Sequence, residues 1–146
     1  MSATLHDEVR AEIEALHEFF VGWFSGRLSA DRFEPDFSAR FAPDFLLVPP
    51  AGTLLSISDL SDGVRSAHGT NETFRIAIRN VQVRRELGDF VLATYEEWQR
   101  NEQRETDPGS ARISTVTFSR GRKLQWLHVH ETWLPDDVVR SDPFEF

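Results

Sequence analysis

The chain has 146 residues, 40% of them hydrophobic and 12% aromatic, which is the usual length and composition of one domain with one core. It has no cysteine, which excludes disulfides and thiolate zinc sites. The 24 acidic residues exceed the 16 basic ones and give a net charge of −8, which disfavours nucleic acid and anionic membranes as partners. We therefore expect a single domain over residues 1–146 with neither partner.

Targeting signals are not visible in the amino-terminal sequence. No apolar run approaches the ~20 residues of a membrane helix. The stretch from Ser2 to Glu8 has no basic region followed by an apolar stretch, so it does not resemble an export signal. A cytoplasmic protein is the expectation.

The first segment predicts a long amphipathic helix over residues 4–25, which ends at Gly26 in a left-handed conformation. Its apolar residues recur mostly in steps of three and four: Leu5, Val9, Ile13, Leu16, Phe20, Trp23 and Phe24. Phe33, Phe37 and Phe41 then recur at every fourth position. This spacing predicts a short second helix that ends before Pro43.

A small hairpin and a third helix are predicted next. Apolar segments at 45–48 and 53–56 flank a turn rich in proline and glycine, which is typical of a hairpin. Ser56 or Ser58 is expected to cap a third helix that ends at Gly69.

The remainder predicts four long strands, at about 72–87, 90–100, 112–119 and 124–134. In the first of these strands the apolar alternation changes parity near Asn80, which predicts a β-bulge that bends the strand. Helices followed by a run of bent antiparallel strands indicate an α+β domain with helices on one face of the sheet.

The last strand suggests how the chain assembles. It reads Trp126-Leu127-His128-Val129-His130-Glu131-Thr132-Trp133, and strict alternation puts Trp126, His128 and His130 on one face. Both faces of this strand are too apolar for water. Since the helices can cover one face only, we expect a homodimer through the outer sheet face.

Three segments of the chain carry a family resemblance: 20–26, 41–45 and the strand 126–133. Through them the sequence resembles the nuclear transport factor 2-like superfamily, in particular its SnoaL-like domains and the association domain of calcium/calmodulin-dependent protein kinases. The resemblance implies a cone-shaped, curved antiparallel sheet with the N-terminal helices packed on its concave face. It also implies an internal pocket for a small ligand, which the many aromatic residues suggest is apolar or aromatic.

Ketosteroid isomerases of this fold use a carboxylate base and two acidic hydrogen-bond donors. In an ungapped placement the base falls on Pro49, one donor on Phe20 and the other at about Ser114. None of these residues can perform the corresponding role, so a standard ketosteroid isomerase is not expected.

Several residues are candidates for the pocket. Glu96, Arg112 and His130 are the candidate catalytic residues, and the candidate ligand-binding residues are Trp23, His68, Trp98, Trp126 and His128. A Glu96–Arg112 pair inside the cavity has three interpretations: a structural salt bridge, a general base tuned by arginine, or an anchor for a ligand carboxylate. The sequence leaves open whether Glu96 or Glu97 faces the pocket, and the aromatic residues could equally be core.

A metal site is the next possibility to weigh. His128 and His130 have the spacing of a metal-binding pair on a strand, but Leu134 and Pro135 stand where a third ligand would be needed. We therefore expect no metal and no cofactor.

The sequence does not decide whether the protein is an enzyme. The first hypothesis is a small-molecule-binding domain or a cofactor-free lyase, isomerase or hydratase. The alternative is a non-catalytic dimeric assembly or accessory module, as in kinase association domains. A metal-dependent oxygenase or cyclase would need a ligand set that the sequence does not complete.

Overall fold

The elements of the fold are taken from a computed structural model that describes residues 3–101 and 109–141. The helices in this part of the chain are α1 (Ala3–Phe24), α2 (Phe33–Asp36), α3 (Ile57–Ser66) and α4 (Asp136–Ser141). The strands are β1 (Phe41–Val48), β2 (Leu55–Ser56), β3 (Phe74–Leu87), β4 (Phe90–Asn101), β5 (Ser110–Arg120) and β6 (Leu124–Trp133).

The strands form one curved, open sheet in the order β2-β1-β6-β5-β4-β3. All neighbouring strands are antiparallel except β1 and β6, which are parallel. The predicted small hairpin is confirmed, because Leu46 pairs with Ser56 and Leu47 with Leu55. The α+β fold class is confirmed as well.

Helix α1 buries its apolar stripe against the inner, concave face of the sheet. The spacing of three and four residues places these side chains on one side of the helix. The buried residues of the stripe are Leu5, Val9, Ile13, Leu16, Phe19 and Trp23. They pack on inward-facing residues of the strands, among them Val91, Val116, Phe118 and Trp126.

The end of α1 is closed by backbone groups from the segment after α3. Gly26 has a φ of +83°, so the predicted left-handed end is confirmed. The Gly69 amide donates to the Trp23 carbonyl at 3.0 Å, and the Asn71 amide donates to the Phe24 carbonyl at 2.8 Å. These bonds satisfy carbonyls that a helix end otherwise leaves unpaired.

The second aromatic segment differs from its prediction. Helix α2 covers one turn only, with a 3₁₀ turn on either side, and β1 already begins at Phe41. The spacing of four residues reflects ring packing instead. The centroid of the Phe37 ring lies 4.9 Å from that of Phe33 and 4.8 Å from that of Phe41. Pro43 is tolerated in β1 because the register with β6 shifts between Phe41 and Leu46.

In the described part of the sheet the register shifts at four places: once between β1 and β6, twice between β3 and β4, and once between β5 and β6. The sequence predicts only the shift near Asn80. Asn80 has a φ of +55° where the register between β3 and β4 shifts, which confirms the expected bulge. The shift between β5 and β6 lies where Trp126 pairs with Phe118 but His128 pairs with Thr117. The extra residue is Leu127. Strict alternation is therefore wrong here, and Trp126 faces inward while His128 and His130 face outward.

Helix α3 agrees with its sequence signal, whereas the sequence pattern does not predict the short helix α4. Ser56 caps α3, since its hydroxyl accepts from the Asp59 amide at 3.1 Å and the Asp59 carboxylate accepts from the Ser56 amide at 3.0 Å. Helix α4 packs Val139 on Trp98 and Ala111 of the outer face. The apolar residues Phe144 and Phe146 of the tail lie outside the described residues.

Within the described residues, no helix has both the length and the apolar character needed to cross a membrane.

Candidate functional site

Polar side chains interrupt the apolar inner face at the centre of the sheet. We call them the inner polar cluster, which consists of His17, Tyr95, Glu97, Arg112, Ser114 and Glu131. Glu97 and Arg112 are register partners across β4 and β5, as are Tyr95 and Ser114. The pleat thus brings these side chains together on one face, underneath α1.

The histidine of this cluster is held by two hydrogen bonds. Its Nδ1 lies 2.7 Å from the Ile13 carbonyl oxygen and its Nε2 lies 2.9 Å from Glu97 Oε1. A carbonyl oxygen only accepts, so Nδ1 must carry a proton, and a second proton must lie between Nε2 and the carboxyl group. His17 and Glu97 are both buried, with side chains only 5% and 8% exposed.

The neighbouring charges determine where the second proton lies. Burial lowers the pKa of His17, but the charge of Glu97 and the hydrogen bond to it outweigh burial and raise that pKa overall. Burial raises the pKa of Glu97, yet the His17 charge and hydrogen bond, helped by Arg112 and Gln99, lower it to about 2. At neutral pH the pair is therefore an imidazolium and a carboxylate.

This ion pair links stability to pH in both directions. The pKa of Glu97 falls from 4.5 to about 2 on folding, so its contribution is complete above pH 4.5 and is lost as the pH falls toward 2. The pKa of His17 rises above 6.5, so its contribution is complete below pH 6.5 and is lost as the pH rises through the raised value.

A second charged pair lies beside the first. Arg112 Nη1 donates to Glu131 Oε1 at 3.2 Å, and the guanidinium lies 4.6 Å from the centroid of the Trp133 ring. Burial raises the pKa of Glu131, although Arg112 acts in the opposite direction. Burial and the nearby carboxylates raise the pKa of Tyr95 well above 10, so its hydroxyl stays neutral at physiological pH.

A groove of about 480 Å³ opens between α1 and β3 next to this cluster. Its apolar walls are Val21, Leu28, Ile76 and Ile78, and its polar lining is Glu14, His17, Glu18 and Arg27. Gly22 also lines the groove. A Cβ at this position would lie 2.8 Å from the Leu28 side chain, so glycine allows Leu28 to lie against the helix.

The groove continues along β3. A second cavity of about 470 Å³ shares Val21, Arg27 and Ile76 with the first. It is otherwise lined by residues 72–75. The two cavities thus meet at these three residues and together form one elongated groove.

Of the candidate catalytic residues, the structure places only Arg112 in the inner polar cluster. Glu96 lies on the outer face, where it accepts hydrogen bonds from Trp98 Nε1 at 2.9 Å and Asn80 Nδ2 at 2.7 Å. The predicted Glu96–Arg112 pair is wrong, because Ile113 is the register partner of Glu96. Arg112 lies opposite Glu97, which answers the question that the sequence left open.

The candidate histidines of β6 lie on the outer face, with His130 exposed and His128 half-buried. Trp126 lies inside, where its Nε1 donates to Glu12 Oε1 at 3.2 Å. The Trp98 side chain lies under α4. Among residues 3–101 and 109–141, no group of three or more acidic or histidine side chains is placed to hold a metal ion.

Trp23 and His68 hold the groove residue Leu28 in place. The Trp23 Nε1 donates to the Val64 carbonyl at 2.7 Å, and the His68 ring stacks on Trp23 with centroids 3.9 Å apart. The His68 Nε2 donates to the Leu28 carbonyl at 2.7 Å. Both residues therefore hold Leu28, which lines the groove, and neither lines the groove itself.

The sequence contained a signal for the missed residues. His17 lies four residues after Ile13 and three before Phe20, so it occupies a position on the buried stripe of α1. A histidine at such a position needs a buried partner. Glu97 belongs to the strand parity of Tyr95, which is inward in the structure.

Comparison with solved structures finds the same fold elsewhere. A nuclear transport factor 2-like protein of unknown function from Pseudomonas aeruginosa is 32% identical, with a TM-score of 0.79 over 88% of this chain and 99% of that one. A protein from Thiobacillus denitrificans named for the association domain of calcium/calmodulin-dependent protein kinase type II is 22% identical, with a TM-score of 0.63 over 86% and 94%. At 22% identity, the second likeness shows the fold alone.

Comparison with characterised sequences finds a more distant match. Sucrose-phosphatase 1 of Nicotiana tabacum is 26% identical over 127 residues, which are 84% of this chain and 30% of that protein. The chain spans less than a third of the length of the plant sucrose-phosphatases that it matches. No known family profile matches the chain.

Replacing one or the other partner of the buried ion pair should lower the free energy of unfolding by unequal amounts. We expect His17→Leu to destabilise the fold by about 3–5 kcal/mol, because it leaves a buried carboxylate without its cation. Glu97→Gln should cost only about 1 kcal/mol, since its amide can donate to a neutral His17. The measurement is urea unfolding at neutral pH.

A variant of an exposed pair on the same helix serves as the control. Arg10 and Glu14 form an ion pair one turn apart, and Glu14→Gln should cost less than about 0.5 kcal/mol. The double variant His17→Leu with Glu97→Leu should recover most of the loss, because neither charge remains. Equal losses for His17→Leu and Glu14→Gln would contradict the role given to the buried pair.

Proposed function

The chain belongs to the nuclear transport factor 2-like family, and on this premise we propose that it binds a small molecule with an apolar or aromatic body in the groove between α1 and β3. The observation that carries this proposal is the groove itself. Its apolar walls come from Val21, Leu28, Ile76 and Ile78, and it borders the buried His17–Glu97 pair. Its volume of about 480 Å³ falls within the usual range of small-molecule sites.

The chemistry of the inner polar cluster favours binding over proton abstraction. A general base works best with a pKa near the operating pH, whereas the pKa of Glu97 is about 2. Of the candidate catalytic residues, Glu96 and His130 lie on the outer face, away from the groove. The cofactor-free lyase, isomerase or hydratase is thus the less supported form of the hypothesis.

The match to sucrose-phosphatases does not extend the proposal to their reaction. It covers less than a third of those enzymes and is at most 26% identical. It is compatible with an accessory domain, which is the role that the alternative hypothesis gives to this chain.

Filling the groove tests the binding proposal. The probe is N-phenyl-1-naphthylamine, a neutral apolar fluorophore whose emission rises when it leaves water. We expect the wild type to bind it and Val21→Trp to raise its dissociation constant about tenfold, because the indole occupies the junction of the two cavities. Fluorescence titration measures both constants.

The control for this titration is Leu54→Trp, which adds the same side chain at a position that is 62% exposed and outside the groove. This variant should bind the probe like the wild type. Absence of binding by the wild type, or the same constant for Val21→Trp and the wild type, would contradict the groove as the binding site.

A second proposal concerns the outer face of the sheet, which we assign to a homodimer of the kind found in assembly modules. Exposed apolar side chains on this face include Leu46 at 39% and Ile113 at 41%, and Thr115 and His130 lie in the same part of the face. Helix α4 covers one end of the face only. A partly apolar sheet face with no cover is a typical subunit interface.

A charge placed on the outer face should separate the subunits. In light scattering after gel filtration, we expect the wild type at twice the chain mass of 16.8 kDa and Ile113→Arg at the monomer mass. The variant should be monomeric because burying an unpaired arginine in the interface costs free energy. Leu54→Arg is the control and should remain dimeric. A monomeric wild type, or a dimeric Ile113→Arg variant, would contradict this interface.

A further inference from the structure

The turn after α1 is held rigidly beside the groove. The Leu28 amide donates to the Gly22 carbonyl at 3.0 Å, and the Leu28 carbonyl accepts from His68 Nε2 at 2.7 Å. A Cβ on Gly26 would lie only 3.3 Å from the Gly69 Cα, so the two backbones are in close contact. Arg27 lies between these fixed points and therefore extends from a rigid support.

The charge of Arg27 is not neutralised by a neighbour. Other arginines of the described residues form ion pairs with carboxylates, among them Arg10, Arg32, Arg40, Arg65, Arg112 and Arg120. Within residues 3–101 and 109–141, Arg27 forms no ion pair or hydrogen bond. It lines both cavities, at the point where they join.

The charged side chains are distributed unevenly along the groove. Arg27 stands at the junction of the cavities, Glu14 and Glu18 line only the first, and Glu72 and Arg75 line only the second. Unlike Arg27, Arg75 already interacts with another group. Glu14 is already bonded to Arg10 at 2.8 Å, and Glu18 is exposed. A ligand with one negative group would therefore be oriented with that group at Arg27 and its apolar body along Ile76 and Ile78.

Resting on the proposed function, we propose that the groove selects an amphipathic anion, namely an aromatic or aliphatic acid whose acid group pairs with Arg27. Guanidinium is suited to carboxylate and sulfonate oxygens because its N–H donors are planar and fixed in direction. The apolar walls supply the rest of the binding, and the Arg27 contact supplies the preference for an acid.

Two probes that differ in one charged group test this inference. N-phenyl-1-naphthylamine is neutral, and 1-anilinonaphthalene-8-sulfonate has the same rings with a sulfonate added. We expect Arg27→Gln to raise the dissociation constant of the sulfonate about tenfold and to leave that of the neutral probe unchanged. Arg27→Lys should retain part of the preference. Salt at about 1 M should weaken the binding of the sulfonate probe only, because charges more than about 3 Å apart are then largely screened from each other.

Arg122→Gln is the matched control, since Arg122 is exposed and lies outside both cavities. It should change neither constant. If both probes bind the wild type and Arg27→Gln weakens neither or weakens both equally, the preference for an acid is wrong and the binding groove stands. If neither probe binds the wild type, the proposed function is wrong and this inference is wrong with it.

Discussion

The hydrogen bond between His17 and Glu97 is the contact on which the interior depends. The Ile13 carbonyl accepts a hydrogen bond from Nδ1, and the second proton on Nε2 makes the ring an imidazolium that needs a neutralising partner. The inward carboxylate of Glu97 does this. Together with the buried apolar stripe, the pair holds the rotation of α1 and its height over β4, because a helix that turned or slid would leave a buried charge unpaired.

The groove follows from this placement of α1. Held at its middle by His17, the helix leaves space over β3, which Val21, Leu28 and Ile78 line without filling it. His68 and Gly69 then fix the turn beyond the helix, and that turn carries Arg27. In the proposed function, the buried pair supports the groove and the residues of its rim and walls contact the ligand.

Much of the fold could be predicted from the sequence, because periodicity and turn residues are local signals. The stripe of α1 and the bulge at Asn80 are examples. The bulge at Leu127 could not be predicted, since the residues around it are apolar on both faces and give no change of parity to detect. That one residue decides the side on which His128 and His130 lie. The Glu96–Arg112 pair failed for a related reason, because alternation alone does not tell which face is inward.

The protonation state of His17 tests the account most directly. In protein labelled with ¹⁵N-histidine, the ring nitrogens are recorded at about pH 7, where an unperturbed histidine is mostly neutral. The His17 signals are assigned by their loss in His17→Gln. We expect both nitrogens of His17 to resonate as protonated imidazolium nitrogens. An Nε2 that resonates as an unprotonated nitrogen would contradict this expectation, because the buried pair would then be neutral and would not hold α1 by charge.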